Sequence, residues 1–152
     1  MLAQETVTTC DKPIESAEDL SSIAFGFMGS KALFAGLHVD VFSMLADGPK
    51  TAEELAKAAD IPINRVAILT TALASIGLLI IADDKKIRNS PAAQSFLSKA
   101  SRYDFGDYLR YQIDQQMYPF LLQLNAVMKG DLSEDAIASY KHWMADEEQA
   151  SV

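Results

Sequence analysis

Residues 51–89 carry a fixed order of local signals that restricts the fold more than anything else in the chain. Thr51-Ala-Glu-Glu54 fits a capping box, in which the Thr51 hydroxyl accepts from the Glu54 N–H and the Glu54 side chain reaches back. The short helix that follows ends near Asp60. Pro62 suits the first turn of a second helix, whose apolar stripe is Val66, Leu69, Leu73 and Ile76, with Gly77 as its stop. Leu79-Ile80-Ile81 and Ile87-Arg88 then flank Asp83-Asp84-Lys85-Lys86 as a small hairpin. Helix, tight turn, helix and hairpin is the plan of a winged helix. Such a module either reads DNA or serves as a packing and dimerisation unit.

The flanks read as helices. Residues 1–15 form a leader without periodicity, and Ser16 precedes Glu18 and Asp19 as an N-cap followed by first-turn acids. From Leu20, the apolar positions Ile23, Ala24, Phe27, Phe34, Leu37, Val41, Phe42 and Leu45 recur at helical spacing. This predicts one or two helices to about Ala46, with a break near Gly29-Ser30 and a stop at Asp47-Gly48-Pro49. Ser90-Pro91 opens a further helix to about Leu97. After Ser101 a long helical segment carries apolar residues from Phe105 to Met128; Pro119 should kink or restart it and Gly130 should end it. Ser133, Glu134 and Asp135 cap a last helix to about Glu148. The expectation is a mainly α fold: a flexible leader over 1–15, then one helical domain over 16–150 holding a winged helix with a two-stranded hairpin.

Charge bears on the choice between DNA and protein. The 152 residues carry a net −8, but unevenly: residues 1–48 sum to −5, 49–103 to +3 and 104–152 to −6. Nucleic-acid binding would have to rest on the middle segment alone. The outward face of the second helix offers Asn64 and Arg65, then Ala67, Thr70, Thr71, Ala74 and Ser75, which is small and nearly uncharged. Lys85, Lys86 and Arg88 on the hairpin could touch phosphates, yet they also suit a solvated turn. No nucleic-acid partner is therefore assigned.

Other chemistries find less. Cys10 is the single cysteine and lies in the polar leader, so no internal disulfide is expected and the cytoplasm is the expected compartment. No basic region followed by an apolar core marks a signal peptide, and residues 73–82, the longest apolar-dominated patch, are too few to span a bilayer. His38 and His142 are far apart, His38 reading as a core-edge histidine, so no metal is assigned. Seven glycines never form G-x-G-x-x-G or a P-loop, and no nucleophile, base or carboxylate pair is placed. No catalytic or cofactor-binding residue is assigned.

Two residue sets remain. Gly26, Gly29, Ala32 and Gly36, interleaved with Phe25, Phe27, Met28, Leu33 and Phe34, suit either a core helix or an intermolecular helix seam. Tyr108, Tyr111, Gln112, Met117, Tyr118 and Phe120 suit either core packing or an adaptable pocket wall for a flat aromatic ligand. The candidate substrate contacts are Phe25, Met28, Tyr108, Tyr111, Gln112 and Met117.

Several blocks together resemble a known family: Gly26-Phe-Met-Gly-Ser-Lys-Ala-Leu-Phe-Ala35, Asp40-Val-Phe-Ser-Met-Leu-Ala-Asp-Gly-Pro49, Thr51-Ala-Glu-Glu-Leu-Ala56, Arg65 with Leu69-Thr-Thr-Ala-Leu-Ala-Ser-Ile-Gly-Leu78, and Asp107-Tyr-Leu-Arg110. The resemblance, over roughly 18–150, is to the N-terminal dimerisation domain of small-molecule O-methyltransferases that use S-adenosylmethionine, of plant caffeate and bacterial polyketide and carotenoid types. It implies a homodimer of intertwined helical domains that supply part of a pocket wall for a small aromatic or polyketide-like hydroxyl compound of secondary metabolism. The family's second half, a Rossmann-like domain with a glycine-rich cofactor loop and a catalytic histidine, is absent from these residues. S-adenosylmethionine is thus expected for a full-length parent, and the chain alone is expected to be inactive. The alternative is a winged-helix DNA-binding transcriptional regulator.

Overall fold

The computed structural model describes residues 13–131. Cys10, His142 and the expected helix from Ser133 to Glu148 lie outside the described residues. The first helix, α1 (Ala17–Val39), starts where Ser16 Oγ accepts from the Asp19 N–H at 3.0 Å. It runs unbroken through Gly29 and Ser30, against expectation. The break comes at Asp40, whose left-handed φ of 64° turns the chain and sends its N–H to the carbonyls of Gly36 and Leu37. Beyond the turn, Val41, Phe42 and Leu45 join Leu37 in one core. A glycine within a helix costs only about 1 kcal/mol, so Gly29 alone does not break it.

After the short α2 (Val41–Met44), the capping box of α3 (Ala52–Ala59) forms as expected. Thr51 N–H reaches Glu54 Oε2 at 2.8 Å, and Glu54 N–H reaches Thr51 Oγ1 at 3.2 Å. Pro62 stands one position earlier than expected, as the N-cap of α4 (Ile63–Ser75), and Gly77 ends the turn at φ 79°. Strands β1 (Leu79–Ile81) and β2 (Ile87–Asn89) pair antiparallel, Leu79 opposite Asn89. Lys50 adds an unforeseen rung, exchanging two backbone hydrogen bonds with Ile87 at 2.8 and 2.9 Å. Ser90 caps α5 (Pro91–Phe96) through the Ala93 N–H.

The C-terminal segment differs in winding. Residues 108–117 form a π-helix (Tyr108–Met117), in which the Tyr118 N–H bonds to the Ile113 carbonyl five residues back. Pro119 then restarts an α-helix, α6 (Tyr118–Leu121), followed by α7 (Leu124–Lys129), which Gly130 stops at φ 75°. An α-helix carried through this point would lack Pro119 as a donor and would press its ring on the carbonyl four residues back.

One core joins α1 to α5 and the two strands: Leu37, Val41, Phe42, Leu45, Leu55, Val66, Leu73, Leu79, Ile87, Ala93 and Leu97. Asn89, at the foot of the wing, donates from Nδ2 to the Phe42 carbonyl and to Gln94 Oε1, both at 2.8 Å. Gln94 in turn donates to the Ala46 carbonyl at 3.1 Å, tying wing and α5 to the α2 turn. The stripe of α4 is rotated from expectation. Thr70, expected outside, is buried, with Oγ1 bonded to the Val66 carbonyl at 2.9 Å, while Ile76, expected inside, is 44% exposed. Ala74, also expected outside, is half-buried against the core. The Thr70 hydroxyl meets its hydrogen-bonding need within its own helix and so tolerates burial.

Helix α1 approaches the core closely at Gly36, where an added Cβ would stand 3.0 Å from Leu73 Cδ1 and 3.1 Å from Phe42 Cε2. Both neighbours are fully buried and have nowhere to move. Urea denaturation should therefore find Leu73→Ala less stable by about 2–5 kcal/mol. Gly36→Ala should lose about 1–2 kcal/mol despite its better helix propensity. A Gly36→Ala protein more stable than the parent would disprove the tight contact.

Candidate functional site

Helix α1 is rich in apolar residues, but the domain covers only its C-terminal half, where Phe34 and Leu37 are buried. In its N-terminal half Leu20, Ile23, Phe25, Phe27 and Met28 are each 54–64% exposed. The outward face of α4 is equally uncovered. Ile68 is 70% exposed, and with Ala67, Thr71, Ala72 and Ser75 it lines an open cavity of about 450 Å³. The two surfaces meet where Ile76 Cγ2 lies 3.6 Å from the position a Gly29 Cβ would take. Leu121, Leu122, Leu124 and Met128 add an exposed apolar edge from α6 and α7. Lone surface apolar residues are ordinary, whereas exposed apolar residues gathered on adjoining helices mark an interaction site. By length and composition α1 would also suffice to cross a membrane; its glycines and serines conceal this from a search for an unbroken apolar run.

A second feature joins α1 to the π-helix. The Asp114 carboxylate takes the Lys31 ammonium on Oδ1 and His38 Nε2 on Oδ2 at 3.0 Å. Phe34 and Tyr118 pack edge to face beside it at 6.2 Å, and Lys31 Nζ sits 4.8 Å from the Tyr118 ring centre. Burial pushes the Asp114 carboxyl up, but the hydrogen bonds and positive charge of Lys31 and His38 outweigh it and hold the group below its ordinary value of 3.8. His38 is therefore no core-edge residue: its side chain is 37% exposed and its ring is claimed by a carboxylate from another element. Arg110, four residues before Asp114, is buried, with Nη1 2.9 Å from Asp107 Oδ1 and a buried Nε that makes no hydrogen bond.

The six sequence-derived candidates fall into two groups. Phe25 and Met28 lie on the exposed half of α1, while Tyr108, Tyr111 and Met117 are exposed on the π-helix with Gln112 half-buried among them. The ion pairs and ring contacts between the two regions are made by Lys31, Phe34 and His38, so the two groups are not brought together through these. None of the six lines the α4 cavity. Sequence reasoning missed Asp114 and Lys31, 83 residues apart, and also Ile68. For Lys31 and Asp114 the only sequence signal is a charge within a largely apolar or uncharged helical stretch, and Ile68 offers none. Among the described residues no three His, Cys, Asp or Glu side chains gather as a metal site. The α4 face carries no cation beyond Arg65 in its first turn.

Against known proteins, residues 21–99 match the family model described as the O-methyltransferase dimerisation domain. The chain is 38% identical over 105 residues to the N,N-dimethyltransferase OxyT of Streptomyces rimosus, covering 68% of this chain and 30% of that protein. It is 30% identical over 111 residues to the tetracenomycin polyketide synthesis 8-O-methyl transferase TcmO of Streptomyces glaucescens, covering 73% and 32%. Its fold matches the crystal structure of human N-acetylserotonin methyltransferase in complex with SAM at a TM-score of 0.69, with 25% identity, over 80% of this chain and 36% of that one. The chain thus spans about a third of the length of these relatives.

Asp114, held below its ordinary value in the folded state, contributes stability that is fully present above 3.8 and lost as the pH falls beneath it. The stability advantage of the parent over Asp114→Asn should be clear at pH 5 and vanish in the acid limb of a pH series. An advantage that persists unchanged into acid would show that the charge on Asp114 is immaterial.

Proposed function

This chain belongs to the O-methyltransferase dimerisation-domain family, and we propose that its part in such an enzyme is twofold. It pairs with a second copy, and it lends one wall to the pocket that grips a small acceptor. The observation that supports the pairing is the connected apolar surface of α1 and α4. A symmetric pair buries the same patch on both copies, so one exposed face suffices for closure. Small residues along α4 (Ala67, Thr71, Ala72 and Ser75) allow a partner helix to approach closely while Ile68 supplies burial. An interface of this kind is large and apolar, unlike the wet, smaller contacts of transient encounters.

The pocket wall draws on Phe25, Met28, Tyr108, Tyr111, Gln112 and Met117. Pairing is what would bring α1 of one copy beside the π-helix of the other and so unite the two groups. Rigid aromatic faces with a flexible thioether and an amide suit a flat aromatic or polyketide-like hydroxyl compound. The names of TcmO, an 8-O-methyl transferase of polyketide synthesis, and of the human N-acetylserotonin methyltransferase are in keeping with an aromatic acceptor. That of OxyT gives N,N-dimethylation, so the acceptor atom in such relatives is not confined to oxygen.

The parent enzyme would use S-adenosylmethionine; the human structure is described as a complex with SAM. The described residues do not fit that cofactor themselves. The one strand-to-helix junction, β2 to α5, runs through Ser90-Pro91 and not through glycines, and the positive-φ glycines 48, 77 and 130 lie at helix ends or in turns. No methyl-transfer step is derived from these side chains.

Sedimentation at micromolar concentration should find a dimer, and the double substitution Phe27→Glu with Ile68→Glu should weaken it at least tenfold. A monomer at tens of micromolar would remove the pairing. Binding of a flat polyhydroxylated aromatic, followed by tyrosine and tryptophan fluorescence, should weaken several-fold in Tyr111→Ala and in Met117→Ala; equal affinity in both would remove the pocket wall.

A further inference from the structure

Lys31 and His38 stand seven residues apart on α1, about 10 Å along its axis and on one face. One carboxylate spans them: Lys31 on Oδ1 of Asp114, His38 on Oδ2 at 3.0 Å. Although both partners are partly exposed, the Asp114 side chain is only 10% exposed. The segment that carries it needs such a tie. π winding occurs mostly as single-turn bulges, yet here it continues for ten residues. Its apolar anchorage is thin, since Leu109 reaches the core and, of the ten, only Arg110 is buried. The grip of the π-helix on α1 is largely polar.

We propose that Asp114 is a proton-tuned clasp on α1, holding residues 108–117 in their π winding and gripping harder when His38 is protonated, and so setting how Tyr108, Tyr111 and Met117 are presented. The clasp stands on the geometry alone; its bearing on a ligand rests on the pocket-wall reading above.

Among the described residues around the clasp, His38 is the one histidine. Of the elements packed on α1, α2 has no titratable side chain and α4 carries only Arg65. The π-helix brings Asp114, Tyr108, Tyr111 and Arg110, the last paired with Asp107, and α6 brings only Tyr118. Asp104, at the entry to the segment, is occupied by the Gly106 N–H at 2.9 Å, and Asp40 by Lys99 at 3.3 Å. Lysine, arginine and tyrosine keep their charge state between pH 5 and 8, and histidine is the side chain that ordinarily changes there. A neutral imidazole can still donate one hydrogen bond to Asp114 but no longer adds charge to it, which leaves Lys31 as the single charged arm. With the clasp loosened, i→i+5 bonds give way to i→i+4 bonds. The same residues then make more turns, and Tyr111 and Met117 rotate relative to α1.

Amide hydrogen exchange of the full chain, read by mass spectrometry and corrected for the intrinsic pH dependence of exchange, tests this. Peptides covering 108–117 should be at least threefold better protected at pH 5.5 than at pH 8, with α3 and α4 unchanged. His38→Gln, at an exposed position, should abolish the difference and leave the protection of pH 8 at both values. Asp114→Asn should lose protection at both, and Asp114→Glu should restore part of the pH profile. Equal protection at the two pH values in the parent, or a pH profile surviving in His38→Gln, overturns the clasp. The same samples titrated with a flat aromatic separate the two ideas. The exchange pattern without ligand binding keeps the clasp and rejects the pocket wall, and binding without the pattern rejects the clasp.

Discussion

A helix of 23 residues is about 34 Å long, roughly the width of a small domain. The winged helix behind α1 reaches only its last turns, and everything else follows from that mismatch of lengths. Where Gly36 lets the α1 backbone close on Leu73 and Phe42, the helix is fastened to the core. Toward its N-terminus, Leu20, Ile23, Phe25, Phe27 and Met28 project without cover from the other described residues. The turn at Asp40 belongs to the same constraint. It folds Val41, Phe42 and Leu45 back beneath α1, so the anchor is a bent segment and not a single helical face.

Polar ties do the joining at places where apolar burial runs thin. The Asn89 amide fastens the wing to the α2 turn through the Phe42 carbonyl, and Gln94 carries the tie on to Ala46. Asp114 does the same between α1 and the π-helix. Hydrogen bonds at such half-buried joints are stronger than in water and costly to leave unmade, so they fix geometry where packing does not.

A winged helix that reads DNA places cations and amides on its second helix, because phosphates and base edges demand them. Helix α4 presents Ala67, Ile68, Thr71, Ala72 and Ser75 instead, around a depression that suits an apolar side chain. The surplus positive charge of the middle segment sits partly on the wing, where Lys86 is 3.9 Å from Asp84 within the same turn. The position that reads bases in other uses of this architecture here lacks the cations for it beyond Arg65, and the chain belongs to a dimerisation family.

Much of the local structure was legible from the chain. The caps at Ser16, Thr51 and Ser90, the stops at Gly77 and Gly130, the hairpin and the restart at Pro119 all rest on interactions within a few residues, and each formed. The misreadings share a cause. The unbroken passage through Gly29, the burial of Thr70, the exposure of Ile76 and the π winding of 108–117 depend on what lies across the fold. The candidate pocket residues could be chosen by type but not joined into one site, because contact between α1 and the π-helix is set by side chains elsewhere on both. Sequence determined the elements, since capping and turn chemistry act over three or four residues. Tertiary structure alone decided which half of α1 is left bare and which carboxylate clasps it, since Lys31 and Asp114 meet across 83 residues and no local pattern encodes that distance.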